Sequence, residues 1–139
     1  MNEAAPAAVR GRGGCLCGGV RYEVRGPLRD VIACHCSQCR RTSGHFVAAS
    51  QALSADLVLL ASATLQWYRS SPAAERGFCS RCGGNLFWRP TGAAPAVTSI
   101  MAGTLDTPTG LQVIRHIYAG DKSDYYEIPA DMVKFHQSD

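Results

Sequence analysis

The sequence predicts a mostly β protein that folds as a single domain. Short runs of β-branched and aromatic residues recur along the chain and are separated by Gly, Pro, Ser and Asp. No segment carries a long helical period, and the sequence contains no internal repeat. A length of 139 residues suffices for one compact domain and is short for two.

The elements follow from local patterns. Apolar and charged residues alternate in Val20–Val24, which predicts a half-buried strand, and a second strand follows at Val31–Ala33. The segment Ser37–Gly44 is typical of a short helix or turn, with Ser37 as a possible N-cap and a glycine after its end. Further strands are predicted at residues 46–49, 57–60, 65–68, 85–88, 97–100 and 112–118.

The domain is expected to span residues 13–139, preceded by a flexible tail at residues 1–12. The tail is rich in Ala, Gly and Pro and shows no periodicity. It lacks the basic and apolar stretches of a secretory signal. The longest apolar run, Leu57–Ala61, is far shorter than the roughly 18–20 residues of a membrane span, so no membrane partner is expected.

Seven cysteines are the most informative feature of the composition. Their odd number and the lack of a secretory signal predict a cytoplasmic protein with reduced thiols rather than disulfides. The formal net charge is +3, and seven thiolates holding two divalent metals would bring it to zero. No run of basic residues is longer than Arg40-Arg41, so no nucleic-acid partner is expected.

The cysteines fall into three closely spaced groups. A C-x-C pair comes first, a C-x-C-x-x-C group second, and a C-x-x-C pair followed by two glycines third. Close spacing lets several sulfurs reach one metal where the chain turns tightly, and glycine permits such turns. The groups are Cys15 with Cys17, Cys34 with Cys36 and Cys39, and Cys79 with Cys82.

This grouping predicts two zinc ions per chain. A structural zinc site is closed by four protein ligands, whereas a catalytic site has three ligands and one open position. The first and last pairs supply the natural set of four. The middle group supplies three, which leaves one position for a substrate or water. Spacing alone leaves another possibility, a second closed site in which His35, His45 or His116 is the fourth ligand.

Two arginines follow the middle group directly. Three thiolates and one Zn²⁺ carry a net negative charge, which Arg40 and Arg41 would offset. Their guanidinium groups could also hold carboxylates of an incoming ligand. Solvated surface positions are the alternative for both residues.

Three motifs then indicate a family. Gly14–Val24, Cys34–Gly44 and Arg76–Trp88 occur in this order, and together they resemble the glutathione-dependent formaldehyde-activating enzyme (GFA, or CENP-V/GFA) family over about residues 13–130. The resemblance implies an Mss4-like, mostly antiparallel β fold around zinc. It assigns a structural zinc to Cys15, Cys17, Cys79 and Cys82, and a catalytic zinc to Cys34, Cys36 and Cys39.

The resemblance also implies an activity. The family joins formaldehyde to the thiol glutathione to give S-hydroxymethylglutathione, and the reverse is a carbon–sulfur lyase reaction. Arg40 and Arg41 are expected to position carboxylates of the thiol, and His45 or Tyr125 to bind substrate or move a proton. A zinc-stabilised, non-enzymatic binding module of the same fold is the alternative function, and a different small thiol is the alternative substrate.

Overall fold

The computed structural model describes residues 8–92 and 95–138. Strands dominate these residues, and the single α-helix among them is seven residues long. None of the helices in these ranges has the length and apolar character needed to cross a membrane. The elements are β1 Gly11–Gly14, β2 Arg21–Val24, β3 Arg29–Cys34, α1 Ser37–Ser43, β4 Val47–Leu53, β5 Leu57–Ala61, β6 Leu65–Ser71, β7 Ala74–Cys79, β8 Asn85–Pro90, β9 Val97–Met101 and β10 Val113–Ile117.

The strands form two sheets, which confirms the mostly β, single-domain prediction. A three-stranded sheet has the order β1-β2-β5, and a seven-stranded sheet has the order β10-β3-β4-β9-β8-β7-β6. The pairings are antiparallel except for β3 with β10, which are parallel. The two-residue turn between β6 and β7 enforces antiparallel pairing, whereas β10 reaches the sheet edge beside β3 after a longer connection that allows either direction.

Each strand predicted from the sequence is present, and so is the short helix. The helix cap differs from the prediction. Its N-cap is Cys36 rather than Ser37, because the Cys36 sulfur accepts a hydrogen bond from the Cys39 amide at 3.3 Å. Gly44 ends the helix as expected, in a left-handed conformation with φ 80°.

The structure adds two strands that the sequence patterns did not predict, β1 and β7. Strand β1 begins at Gly11, and the Arg10 amide donates to the Val24 carbonyl at 2.7 Å. Residues 11 and 12, which were expected in the tail, are therefore paired in the three-stranded sheet. Residues 1–7 of the predicted tail lie outside the described residues.

The main core lies where the two sheets meet. Tyr22 of β2 and Phe87 of β8 are fully buried, and their rings pack edge to face with centroids 5.3 Å apart. A Cβ at Gly13 would lie 2.4 Å from the Tyr22 hydroxyl oxygen and 2.3 Å from the Thr104 carbonyl oxygen. Glycine in β1 is therefore needed for Tyr22 to reach across to the larger sheet.

We expect Tyr22→Phe to lower the free energy of unfolding by about 1 kcal/mol. The Thr104 hydroxyl donates its hydrogen to the Met101 carbonyl at 2.7 Å, so the Tyr22 hydroxyl, 2.7 Å from Thr104 Oγ1, is the donor of the second bond. Phenylalanine keeps the ring packing and removes this bond alone. Urea unfolding at constant zinc measures the change, and an unaltered midpoint would contradict the assignment.

Candidate metal centres

Four cysteines lie together where the two sheets are joined. Cys15 and Cys17 lie in the β1–β2 connection, Cys79 ends β7, and Cys82 lies in the β7–β8 turn. Their sulfurs lie within 4.8 Å of one another, with Cys15 to Cys17 at 3.7 Å and Cys17 to Cys79 at 3.6 Å. Four sulfurs around one Zn²⁺ at about 2.3 Å are separated by roughly 3.8 Å. The donor set therefore fits zinc.

Neighbouring donors favour the thiolate form that binds metal. The Thr64 hydroxyl lies 3.2 Å from the Cys79 sulfur, and the Cys82 amide donates to the same sulfur at 3.4 Å. Thr64 first, and then this amide, lowers the pKa of Cys79 to about 6. The Gly19 amide donates to the Cys17 sulfur at 3.4 Å. The Gly19 amide lowers the pKa of Cys17, but burial and the neighbouring sulfurs outweigh it and raise this pKa to about 11. The thiolate form in this cluster is therefore favoured at Cys79 rather than at Cys17.

The other three cysteines form a second cluster at one end of β3. Cys34 is the last residue of β3, Cys36 caps α1, and Cys39 lies in the first turn of that helix. Their sulfurs lie within 4.8 Å of one another, and within residues 8–92 and 95–138 no histidine nitrogen or carboxylate oxygen joins the group at this range. The chain thus presents three metal ligands here, and all seven cysteines are free.

The thiols of this cluster share protons unequally. The pKa of Cys36 lies far below its ordinary value, first because Cys34 and then because Cys39 hydrogen-bonds to its thiolate, with a smaller contribution from the charge of Arg76. The same contact with Cys36 raises the pKa of Cys34. Within the cluster, these contacts therefore favour the thiolate form at Cys36 over Cys34.

The three histidines considered as a fourth ligand form hydrogen bonds elsewhere. His35 is fully buried; its Nδ1 contacts the Tyr126 hydroxyl, and its Nε2 lies 2.8 Å from His116 Nδ1. Burial, and then the neighbouring His116, lowers the pKa of His35 to about 4. His45 Nδ1 contacts the Tyr125 hydroxyl, so two of the predicted site residues form a pair.

A cavity of about 640 Å³ opens beside the three-cysteine cluster. Residues that are paired on neighbouring strands project from the same face of a sheet. A row of such residues crosses the seven-stranded sheet and forms one wall of this cavity. Tyr118 and Asp121 also line the cavity. The row comprises Arg29, Gln51, Ser99, Trp88 and Arg76.

Arg76 joins this wall to the cluster. Its Nη1 and Nη2 atoms lie 3.8 and 3.7 Å from the Cys39 sulfur, and the residue is only 5% exposed. The Arg76 Nε is buried without a hydrogen-bond partner. Sequence patterns missed this arginine because it lies on β7, a strand whose sequence does not alternate.

None of the four residues predicted to bind substrate is among the residues that line this cavity. Arg40, Arg41, His45 and Tyr125 are absent from its described lining, and Tyr125 is 61% exposed. Tyr118, which does line the cavity, was not predicted. Its backbone has φ 54° and ψ 38°, a left-handed conformation that is uncommon outside glycine. Such conformations cluster at functional sites, but a sequence gives no signal of this one.

Comparison with known proteins identifies the family. The model of the family described as glutathione-dependent formaldehyde-activating enzyme matches residues 10–121, which include all seven cysteines. The chain belongs to this family. The family match and the two cysteine clusters agree with zinc binding.

A solved structure is also similar to this chain. The crystal structure of a Rhodobacter sphaeroides protein has 28% sequence identity to this chain and a TM-score of 0.57. The similarity covers 69% of this chain and 88% of that protein. The match supports the mostly β fold of this family member.

Proposed function

We propose that this chain is a zinc-dependent carbon–sulfur lyase-type enzyme that handles a thiol–aldehyde adduct, such as that of glutathione with formaldehyde. The observation that carries the proposal is a three-sulfur cluster that opens into a cavity of about 640 Å³ and has no fourth protein ligand among residues 8–92 and 95–138. This volume falls in the range of roughly 300–1,000 Å³ that is typical of small-molecule sites. The four-cysteine cluster would hold a second, structural zinc.

The reaction forms one carbon–sulfur bond. The thiol loses its proton, the thiolate sulfur attacks the aldehyde carbon, and the carbonyl π electrons move to oxygen, which takes up a proton. The reverse reaction breaks the carbon–sulfur bond and releases thiol and aldehyde. Zn²⁺ in the three-cysteine centre would supply a Lewis-acid position that favours the thiolate form of a bound thiol.

The reaction also needs groups that bind the carboxylates of the thiol and transfer a proton, and residues of the cavity wall offer both. Arg29 lines the cavity, and its Nε and Nη2 donate to the Asp30 and Ala49 carbonyls at 3.1 and 2.9 Å. Its positive charge at the wall would attract a carboxylate of a glutathione-like thiol. Tyr118 also lines the cavity, and its phenol would donate a proton to the developing alkoxide and take it back in the reverse reaction. We assign to Arg29 and Tyr118 the carboxylate-binding and proton-transfer roles that the sequence predicts for Arg40, Arg41, His45 and Tyr125, because Arg29 and Tyr118 line the cavity.

We expect Tyr118→Phe to lower kcat by about a hundredfold, the lower end of the usual range for loss of a general acid. Tyr68→Phe is the matched control, since Tyr68 is 59% exposed on β6 and its phenol has no part in the proposal. Exchange NMR with glutathione and ¹³C-formaldehyde measures kcat for both variants. Equal rates for the two variants would remove Tyr118 from the mechanism.

Exchange NMR tests the proposed reaction. Glutathione and ¹³C-formaldehyde equilibrate with S-hydroxymethylglutathione without a catalyst, and the protein is expected to accelerate this exchange in both directions. The zinc-loaded wild-type chain is compared with buffer and with an equal concentration of free Zn²⁺. An exchange rate equal to both controls, with glutathione and with other small thiols, would favour the non-enzymatic binding module.

A further inference from the structure

We propose that Arg76 is the positioning residue of the three-cysteine centre, and that its buried charge determines how firmly this centre holds its metal. The proposal rests on the metal site of the proposed function and is independent of the reaction. In this proposal Arg76 supports the metal ligand Cys39 and does not bind substrate.

The first observation is the contact itself. Both terminal nitrogens of Arg76 approach one sulfur, that of Cys39, at 3.8 and 3.7 Å. Cys39 is 6% exposed and Arg76 is 5% exposed, so water screens this contact poorly. A forked cationic donor on one sulfur restrains the position of that sulfur and places a positive charge beside the metal-binding cluster.

The second observation is the absence of any other partner for the charge. Among the ion pairs of the described residues, none includes Arg76, although other arginines pair with Glu23, Glu75 and Asp106. A buried cation requires a compensating anion. The sulfur cluster is the anion that Arg76 contacts.

The charges also match in number. Three thiolates and one Zn²⁺ carry a net charge of about −1, which one guanidinium group neutralises. The protein side of the cluster is apolar, with Val47, Ala49 and Met101 buried against Cys39. A net charge in such surroundings is unfavourable, so loss of Arg76 is expected to weaken metal binding at this centre.

The test separates charge from packing with two variants. Arg76→Met keeps most of the side-chain volume and removes the charge, whereas Arg76→Lys keeps the charge on a different shape. Arg89→Met is the control, because Arg89 lies on the neighbouring strand β8 and pairs with Glu75 at 2.6 Å, outside the centre. Chelator competition then measures the zinc dissociation constant of each of the two centres.

We expect Arg76→Met to weaken zinc binding at the three-cysteine centre by about 10–100-fold, the usual effect of losing such a supporting contact. The four-cysteine centre should keep its wild-type affinity, which also reports that the variant is folded. Arg76→Lys should recover part of the loss, and Arg89→Met should match the wild type. If Arg76→Met does not fold, Arg76→Gln is measured in its place.

Two results would overturn the role of Arg76. Wild-type zinc affinity in Arg76→Met would show that the charge is irrelevant to the centre. Equal weakening in Arg76→Met and Arg76→Lys would show that shape rather than charge matters. A wild-type chain that binds one zinc only would instead remove the metal site on which both proposals depend, so the two failures are distinguishable.

Discussion

Replacing Cys36 with serine should remove one of the two zinc ions and leave the fold intact. Cys36 supplies one of three sulfurs, and a serine hydroxyl is a poor zinc ligand at neutral pH. Serine is, however, a good N-cap, so it can still accept the hydrogen bond that the Cys36 sulfur takes from the Cys39 amide at the start of α1. Zinc should fall from about two to about one per chain, and thiol–aldehyde exchange by at least about a hundredfold.

Elemental analysis, circular dichroism and exchange NMR on one preparation measure these effects. Ser37→Ala is the matched control, because Ser37 is the exposed neighbour at the start of α1 and supplies no sulfur. It should keep both metals. Loss of both metals with unfolding of Cys36→Ser would show that the three-cysteine cluster is a structural site, contrary to the proposed open centre.

Cys79→Ser should have the larger effect on stability, because it removes a ligand from the centre that joins the sheets. Cys79 is fully buried at the end of β7, and its cluster connects the β1–β2 connection to the β7–β8 turn. Structural zinc contributes about 10–16 kcal/mol in small domains, which is comparable to the 5–15 kcal/mol total stability of a typical domain. The variant is expected to lose its cooperative thermal transition.

Calorimetry and zinc analysis test this expectation. Ser80→Ala, at the exposed next position, should unfold at the wild-type temperature and keep two zinc ions. A strong chelator added to the wild-type chain should reproduce the Cys79→Ser behaviour. A cooperative transition at the wild-type temperature in Cys79→Ser would contradict a structural role for this cluster.

Much of the fold could be predicted because its strands carry local signals. β2 and β10 show β-branched or alternating patterns, and their positions agree with the sequence prediction. β1, with the sequence GRGG, has no apolar residue to alternate, and β7 contains a charged pair and a glycine in six residues. These two segments are strands because they pair with neighbouring strands in the folded sheets. The parallel pairing of β3 with β10 likewise depends on the whole fold.

The candidate site also contains residues that the sequence predicts and residues that only the folded structure brings together. Its cysteines fall into two pairs and a triplet because sulfurs close in sequence share one turn or helix start. The two pairs are 62 positions apart, and the four-ligand requirement of a structural zinc joined them in the prediction. Arg29 and Arg76 could not be assigned, since strand register in the folded sheet brings them to one wall. Arg40 and Arg41 follow Cys39 directly, but consecutive residues of a helix point about 100° apart. Adjacency in sequence therefore did not place them on the cavity wall.

The most direct measurement is zinc content and glutathione binding by titration calorimetry on the same preparation, for the wild-type chain and for Cys36→Ser. We expect about two zinc ions and one saturable glutathione site in the wild type, and about one zinc ion with no glutathione binding in the variant. Two zinc ions in the wild type without binding of glutathione or any other small thiol would contradict an open, thiol-handling centre.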